Sequence, residues 1–298
     1  MKIGVVGSIN IDLVVKTHRI PKKGETLMGE SISNFSGGKG ANQAVAISRL
    51  GGEVTMFGCV GNDHYGEYLL NNLKLEKVDV SHVKEIEGVN SGMAIITVGE
   101  NDNSIVVISS ANDCVNKEYI DSVKNNILSQ DLIIVQNEIP METIEYLADI
   151  CYENKVELIL NPAPAKEISK DLISKVAYIT PNEHETKLIF KSDDIEKILK
   201  EHSEKLIMTE GEKGVKVALN SSEVVSIPCR KSKVVDTTGA GDTFNGAFCV
   251  GLTSGKTLVE SIRFANIAAG LSTEKFGAQS GMPYLNDVLS ELGGDNEN

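Results

Sequence analysis

Two kinds of hydrophobic pattern alternate along the chain. Continuously apolar runs of about five residues are typical of strands that a sheet buries on both faces. Between them lie amphipathic stretches whose apolar residues have the three- and four-residue spacing of a helix face. The predicted strands are residues 3–6, 54–58, 132–136, 156–160, 176–180 and 205–209. The predicted helices are residues 41–50, 65–75, 117–128, 141–154, 183–190, 194–202 and 257–273. This alternation predicts an α/β fold with a mainly parallel sheet flanked by helices.

Three regions depart from the alternation. Segments 215–219 and 223–227, joined by polar residues, predict a hairpin at the edge of the sheet. Segments 12–30 and 93–110 predict β-rich insertions, the second with two strands around residues 99–103. We expect these insertions to form a small sheet that projects from a single domain spanning residues 1–298. A loose tail is expected at residues 293–298.

Composition narrows the possible classes of protein. The chain has 298 residues, of which 41% are hydrophobic, and this is enough for a sizeable core. A net charge of −13 argues against a nucleic-acid partner, and it requires local compensation at any nucleotide site. No apolar run reaches the roughly 18 residues of a membrane span, and Asn10 and Asp12 interrupt the apolar start that a signal peptide needs. Five scattered cysteines are typical of a reducing compartment, so the chain is interpreted as cytoplasmic.

The first candidate for chemistry is a glycine-bearing loop, residues 236–244, which reads Asp-Thr-Thr-Gly-Ala-Gly-Asp-Thr-Phe and opens an apolar helix. Glycines let a backbone approach a ligand closely, and the free amides at a helix start attract anions. Asp242 could take a proton from an attacking hydroxyl while the amides hold phosphoryl charge. The alternative is that this Asp only caps the helix.

A second glycine-rich turn opens another apolar helix. Residues 36–46 read Ser-Gly-Gly-Lys-Gly-Ala-Asn-Gln-Ala-Val-Ala, with further glycine pairs at 51–52 and in 58–61. This segment resembles the first signature of the ribokinase-type (PfkB) carbohydrate kinases, and the loop around Asp242 resembles the second. The two signatures occur in the order of that family, and the resemblance extends from Gly7 to Gln279.

The resemblance implies a fold and an activity. The fold would be ribokinase-like, with a small β-sheet lid over the site. The reaction would be ATP-dependent phosphorylation of D-ribose at its 5-hydroxyl, with Mg²⁺ and an activating K⁺. The one-sided apolar face of the lid would pair two copies into a homodimer, although the hairpin could instead pack on its own domain. Asp242 would be the general base, and the amides of Gly239, Ala240 and Gly241 would stabilise the transferring phosphoryl group.

The sugar side of the inferred site begins with Asn10 and Asp12. In an extended segment these two residues share a face, and an amide beside a carboxylate suits vicinal hydroxyls. They could equally face solvent on an edge strand, but they match ribose-binding positions of the family. The resemblance adds further sugar contacts at Gly38, Lys39, Asn42, Glu138 and Asp242.

The nucleotide side has a weaker local signal. Asn182 and Glu185 match the family's Asn-x-x-Glu element for phosphate and magnesium, although acids at a helix start are also favoured by the helix dipole. The loop with Thr209, Gly211 and Gly214 resembles one that borders ATP, although an ordinary turn would look similar. Other nucleotide positions implied by the resemblance are Gly241 and Asn266.

The resemblance also implies a monovalent-cation site. Its ligands would be Asp236, Thr238, Ser272, Lys275, Gly277 and Gly281, most of them through backbone carbonyls. Asp236 could instead be a turn-forming Asp. The chain departs from the usual Gln-Pro-Ser order of the family, because it reads Gln279-Ser280-Gly281.

Other functions stay open at this stage. A related kinase could act on deoxyribose, fructose or a nucleoside, and a sugar sensor without catalysis could use the same fold. Aromatic residues make up 5% of the chain and Trp is absent, which leaves little to stack on a nucleoside base. The glycine loop with Asp242 argues against a sensor.

Overall fold

The computed structural model describes residues 1–100 and 102–294. Its strands, numbered in chain order, are β1 (Lys2–Val6), β2 (Asn10–Lys16), β3 (Ser31–Gly37), β4 (Glu53–Gly61), β5 (Asp79–Ile86), β6 (Gly92–Gly99), β7 (Asp102–Ile108), β8 (Leu132–Gln136), β9 (Glu157–Asn161), β10 (Tyr178–Ile179), β11 (Ile207–Thr209), β12 (Val215–Ala218) and β13 (Val224–Ile227). Its helices are α1 (Lys39–Arg49), α2 (His64–Leu75), α3 (Lys117–Ile127), α4 (Met141–Glu153), α5 (Lys170–Lys175), α6 (Glu183–Phe190), α7 (Ile195–Glu201), α8 (Ala240–Thr253), α9 (Leu258–Ser272), α10 (Ala278–Gly281) and α11 (Leu285–Gly294).

A parallel sheet forms the centre of the fold. Within the described residues it has six strands in the order β10-β9-β8-β1-β4-β5, and each neighbouring pair is parallel. Successive side chains of a strand point to opposite faces. On β8, Leu132 and Ile134 therefore join the apolar core on one side, whereas Ile133 and Val135 join the core on the other. Helices cover both faces, which confirms the predicted α/β class.

A four-stranded sheet, in the order β3-β2-β6-β7, stands beside the parallel one. Its strand bounds differ from the expected segments 12–30 and 93–110. The first strand begins at Asn10, residues 17–30 contain no strand, and the partner strand is β3. β3 reads Ser-Ile-Ser-Asn-Phe-Ser-Gly and is largely exposed, so backbone pairing with β2 holds it rather than an apolar pattern.

The far end of the parallel sheet is extended by β11, β12 and β13. The predicted hairpin is present as the antiparallel pair β12 and β13. The predicted strand 205–209 pairs antiparallel with β12 instead of completing the parallel sheet. Two isolated parallel bridges, Ile179 with Leu206 and Asn182 with Thr209, connect the two sheets there.

Two further expectations concern the chain end and the membrane. Gly293 and Gly294 belong to α11, so the loose tail does not begin at Gly293, and residues 295–298 lie outside the described residues, as does Asn101 in the expected turn 99–103. Among the helices that the structure describes, none has the length and apolar character needed to span a bilayer.

Candidate active site

Asp242 lies in the first turn of α8, where glycines shape the backbone. Gly239 precedes the helix with φ 78°, in the left-handed region that favours glycine. A Cβ on Gly239 would lie 2.9 Å from Ala278, so the first residue of α10 packs directly against this loop. Around Gly241, by contrast, a Cβ would meet nothing within 4 Å. The start of α8 is therefore held from one side and open at Gly241.

The Asp242 side chain is buried and makes no capping bond to its own helix. Its Oδ2 accepts a hydrogen bond of 2.9 Å from Nδ2 of Asn42, and its Oδ1 accepts one of 3.1 Å from Nε2 of Gln43. Burial raises its pKa, while Lys39 and the two amide donors act in the opposite direction. The carboxylate is thus held by α1 rather than used as a helix cap.

A close crossing of α1 and α8 explains this arrangement. Gly246 lies at the crossing, where a Cβ would come within 2.6 Å of the Ala46 Cβ and 3.0 Å of the Gln43 carbonyl oxygen. Asp242 lies one turn before Gly246 on the same helix face. The two helices therefore bring the start of α8 next to the start of α1.

The hydrogen bonds behind Asp242 continue through buried amides that the sequence analysis did not single out. Gln43 also donates to Oδ1 of Asn161 at 3.0 Å and accepts from Nε2 of Gln136 at 2.7 Å. Asn161 donates to the Thr180 carbonyl at 3.3 Å. The signal that could have revealed this network is polar side chains, Gln136 and Asn161, at the carboxyl ends of otherwise apolar strands.

The sugar-side residues of β2 face the same region. Oδ1 of Asn10 accepts a bond of 2.6 Å from Nδ2 of Asn112, and Gly92 leaves room for both side chains, since its Cβ would lie 2.3 Å from that Oδ1. Gly37 similarly leaves room for the Asp12 carboxylate, which a Cβ there would meet at 2.2 Å. Burial raises the pKa of Asp12 to about 7, and the nearby negative charges of Glu138 and Asp242 add to the shift.

Glu138 follows β8 and binds the start of α1. Its Oε2 accepts from the Ser8 hydroxyl at 2.5 Å and from the Lys39 backbone amide at 3.0 Å. Gly38 precedes α1 with φ 86°, and a Cβ there would lie 2.8 Å from the Asn10 nitrogen. Glycine is required at this position because β2 and the turn before α1 are in contact.

The Lys39 ammonium group interacts electrostatically with carboxyl groups from separate elements. Its pKa is raised chiefly by Asp242, with Glu138, Glu185 and Asp12 adding to the effect. The structure therefore brings together five predicted site residues, Asp12, Lys39, Asn42, Glu138 and Asp242. Asn42 donates to Asp242 and accepts a bond of 3.0 Å from Nε2 of Gln279, so its amide is already engaged.

Asn182 and Glu185 form a capping box at the start of α6. Oδ1 of Asn182 accepts from the Glu185 amide, and Oε2 of Glu185 accepts from the Asn182 amide, both at 2.8 Å. Burial raises the pKa of Glu185, and the charge of Lys39 opposes this shift. Both residues therefore have a structural role, and their predicted role at phosphate and magnesium stays a prediction.

The loop after β11 contains the next predicted nucleotide residues. Thr209 donates its backbone amide to the Pro181 carbonyl at 2.9 Å. Gly211 and Gly214 have φ 59° and 95°, and the latter is tightly packed, since its Cβ would lie 2.1 Å from the Ile227 carbonyl oxygen.

Asn266 is buried in α9, near the end of β13. Its Nδ2 donates to the carbonyls of Ile227 and Pro228 at 3.0 and 3.1 Å. In the described part of the chain, no hydrogen bond joins Thr209, Gly211, Gly214 or Asn266 to Asp242. Their nucleotide role stays a prediction.

The residues predicted to bind a monovalent cation lie around the loop that precedes α8. Oδ1 of Asp236 accepts from the Thr238 amide at 2.9 Å and hydroxyl at 2.7 Å, and its Oδ2 accepts from the Gly277 amide at 2.8 Å. Burial would raise the pKa of Asp236, but these hydrogen bonds hold it below its usual range.

Backbone carbonyls converge beside the same loop. A Cβ on Gly281 would lie 2.6 Å from the Ser272 oxygen and 3.5 Å from the Lys275 oxygen. Glycine at this position therefore leaves a small cradle lined by carbonyl oxygens, the ligand type that a hard cation prefers. The donor set fits a monovalent ion.

Gln279 connects this cation segment to the residues around Asp242. Besides its bond to Asn42, its Oε1 accepts from Nδ2 of Asn72 at 2.8 Å, and its backbone oxygen accepts from Nη1 of Arg49 at 2.5 Å. Gln279 was not among the predicted site residues. Across residues 1–100 and 102–294, no group of three or more His, Cys, Asp or Glu could hold a metal ion.

Comparison with known proteins gives consistent relatives. The family model described as "pfkB family carbohydrate kinase" matches residues 1–285. The ribokinase of Bacillus subtilis is 46% identical over 284 residues, covering 95% of this chain and 97% of that protein. The ribokinase of Lactococcus lactis is 47% identical over 292 residues, covering 98% and 97%. The structure of Arabidopsis thaliana ribokinase complexed with ribose and ATP superposes with a TM-score of 0.90 at 28% identity, covering 97% of this chain and 98% of that one.

Proposed function

Because this chain belongs to the pfkB family of carbohydrate kinases, we propose that it transfers the terminal phosphoryl group of ATP to the 5-hydroxyl of D-ribose. The chain is an enzyme, a sugar kinase. One observation carries the specific proposal. The Asp242 carboxylate lies at the amino end of α8, where it accepts hydrogen bonds from two side-chain amides. It also interacts by charge with Lys39, Asp12 and Glu138.

The proposed role of Asp242 is to accept the proton of the attacking sugar hydroxyl. Burial makes the carboxylate a stronger base, and Lys39 with the two amides keeps its ionised form accessible. A general base works best when its pKa is near the working pH. Asn10, Asp12 and Glu138 would bind the other sugar hydroxyls, since carboxylate and amide oxygens accept such hydrogen bonds.

The amino end of α8 would bind the transferring phosphoryl group. The Ala240 amide donates to the Thr237 carbonyl at 3.2 Å, whereas the amides of Gly239 and Gly241 have no acceptor among the described residues. We therefore assign the larger share of charge stabilisation to Gly239 and Gly241.

Two ions belong to the proposal. Mg²⁺ bound with ATP would neutralise phosphate charge, and Glu185 would approach it through water, since a single acid suits an ion that keeps several waters. K⁺ would be held by the carbonyls of Ser272, Lys275, Gly277 and Gly281 together with Asp236 and Thr238. The cradle at Gly281 supports this assignment, because the Ser272 and Lys275 carbonyl oxygens both lie beside it.

We also propose that the four-stranded sheet acts as a lid and forms a homodimer in the cytoplasm. Apolar side chains of this sheet are exposed in one chain, namely Ile32, Phe35, Ile95, Ile105, Val106, Val107 and Ile108. The strand register places Ile32, Ile95, Val106 and Ile108 on one face of the sheet, and an exposed apolar patch of this kind marks an interaction site. All five cysteines are free thiols, which suits a reducing compartment.

The experiment is to compare ADP production by the natural chain and by Asp242→Asn. We expect kcat to fall by roughly 10²–10⁴ in the variant, the usual contribution of a general base. Asp171→Asn, an acid in the first turn of α5 and paired with Lys175, is the matched control and should retain activity. D-Ribose should be the preferred acceptor over deoxyribose, fructose and nucleosides. Near-normal turnover in folded Asp242→Asn would remove this residue from the reaction.

A further inference from the structure

Gln43 is the residue of α1 that lies directly behind the Asp242 carboxylate. Its side chain is 0% exposed, so it can touch no sugar or nucleotide. The close crossing of α1 and α8 fixes its backbone, because the Gln43 carbonyl oxygen lies beside Gly246. Any influence of Gln43 on the reaction must therefore pass through another side chain.

The amide of Gln43 is fully engaged, and its orientation is determined. Its Nε2 donates to Oδ1 of Asp242 at 3.1 Å and to Oδ1 of Asn161 at 3.0 Å. Its Oε1 accepts from Nε2 of Gln136 at 2.7 Å. If the amide were reversed, its oxygen would face the Asp242 carboxylate, and the hydrogen bonds that Nε2 donates to Asp242 and Asn161 would both be lost. Gln136 and Asn161 therefore keep the donor side of Gln43 towards Asp242.

Resting on the function proposed above for Asp242, we propose that Gln43 is a positioning residue for phosphoryl transfer. It holds Oδ1 of Asp242, fixes the plane of the carboxylate and stabilises the ionised form. Asn42, which is 7% exposed, holds the other oxygen and also belongs to the predicted sugar contacts. The two neighbours thus differ, since Asn42 can meet substrate and Gln43 acts only from behind.

Other charged groups face Asp242 and set the background for a pH measurement. Lys39 in α1 favours the ionised carboxylate and Glu138 after β8 disfavours it, while the charge of Asp242 itself raises the pKa of Asp12 in β2. These groups stay in place when Gln43 is changed. Because the hydrogen bond from Gln43 lowers the pKa of Asp242, its loss should raise that pKa.

The test is the pH profile of kcat, measured with both substrates saturating, in Gln43→Met. Methionine keeps the unbranched shape and removes both polar ends. The pH profile of kcat reports the ionisation of groups in the enzyme–substrate complex. Asp12, a predicted sugar contact, should therefore affect KM more than the pH profile of kcat. We expect the acid limb to move up by about one to two pH units, so that kcat at pH values below the limb falls by about 10- to 100-fold, while ribose affinity, from calorimetry, stays within about threefold.

The matched control is Gln130→Met. Gln130 is also a nearly buried glutamine, but it precedes β8, at the opposite end of the sheet, and donates to the Asn126 carbonyl. The control should keep the natural acid limb even if it lowers the melting temperature. A purely structural role of Gln43 would give the same result in both variants, and an unmoved acid limb in folded Gln43→Met overturns the inference.

Gln136→Met serves if Gln43→Met does not fold. It removes the donor that orients Gln43 and leaves Asp242 untouched, so the acid limb should move in the same direction by about half a unit, and no movement overturns the inference.

Asp242→Asn separates the two proposals. If that variant turns over normally, the assigned role of Asp242 fails. If it is inactive while the Gln43 and Gln136 variants keep the natural profile, only the positioning role fails.

Discussion

Lys39 places one ammonium group among carboxyl groups from four elements of the fold. Asp12, Glu138, Glu185 and Asp242 all act on it by charge, and together they raise its pKa. With every carboxyl group ionised, negative charge would exceed positive charge in this group of five. Such surroundings disfavour a sugar that already carries a phosphate or carboxylate and favour a neutral polyol. The charge balance therefore agrees with an unphosphorylated sugar as acceptor.

In the ligand-free protein, ionisation of Asp12 should lower the stability at alkaline pH. Its pKa rises from an ordinary 3.8 to about 7 on folding, because burial and two acids oppose its charge. The folded state thus holds the proton more tightly than the unfolded state, and stability falls as pH rises from about 4 to 7. Asp12→Asn should raise the free energy of unfolding by at most about 4 kcal/mol at pH 8. The gain should shrink progressively towards pH 4, as urea unfolding at several pH values would measure.

Asp63 provides a contrast for the same measurement. Burial would raise its pKa, but hydrogen bonds from Ser91 and Gly66 hold it below the usual range. It is ionised from pH 5 to 8 in both folded and unfolded states. Asp63→Asn should therefore change stability by the same amount across that window. An Asp12→Asn gain that is equally independent of pH would contradict the assigned shift.

At the scale of elements, the turn before α1 depends on glycine at position 38. Its φ is 86°, and a Cβ would lie 2.8 Å from the Asn10 nitrogen and 2.9 Å from the Ser8 oxygen. Gly38→Ala should lower the free energy of unfolding by about 3 kcal/mol, since backbone strain and a clash with β2 add. Sugar affinity should fall as well, because Asn10 would have to move.

Gly211→Ala is the matched substitution. Gly211 also has a positive φ, 59°, but a Cβ there meets nothing within 4 Å. Only the left-handed backbone would oppose alanine, at about 1 kcal/mol. Urea unfolding of the two variants checks the difference. Equal losses of stability would mean that contact with β2 is not what requires glycine at position 38.

Sequence patterns predicted those elements that bury apolar side chains. β1, β8 and β9 were visible because both faces of the parallel sheet are covered. β3 and β5 escaped prediction because most of their side chains are exposed or only half-buried and polar residues interrupt the apolar pattern. Their strand conformation comes from pairing with β2 and β4, and that pairing is a tertiary property.

The same distinction applies to the candidate site. Gly38, Gly239 and Asp242 belong to short local segments whose residue types already indicate a turn and an anion site. Gln43 has no such local signal, since its partners Asp242 and Asn161 are 199 and 118 residues away along the chain. Only the crossing of α1 with α8 and the order of the parallel strands bring these amides together.

For the whole molecule, the site lies between two sheets. Asn10 and Asp12 come from β2 of the four-stranded sheet, whereas Glu138 and Asn161 follow or end strands of the parallel sheet. The carboxyl ends of parallel strands are where open α/β sheets bind ligands. The four-stranded sheet also bears the exposed apolar side chains, so a second copy bound there would support the strand that presents Asn10 and Asp12.

Substitution on β7 tests the proposed homodimer. Ile105 and Val106 are adjacent and exposed at 52% and 58%, and they point to opposite faces of the sheet, so Ile105→Lys with Val106→Lys places a charge on both faces. In sedimentation, the natural chain should have twice the 32.1 kDa mass of one chain, whereas the double variant should have a mass of 32.1 kDa. The dimer affinity of the variant should be at least about 100-fold lower, because two lysines would have to be desolvated at the interface. Leu75→Lys with Tyr152→Lys, on α2 and α4, changes apolar residues that are even more exposed, at 82% and 62%, and should leave the dimer intact. A natural chain that stays monomeric at micromolar concentration, or a double variant that still dimerises, would exclude this sheet as the interface. Loss of dimer together with weaker ribose binding would show that the partner supports β2.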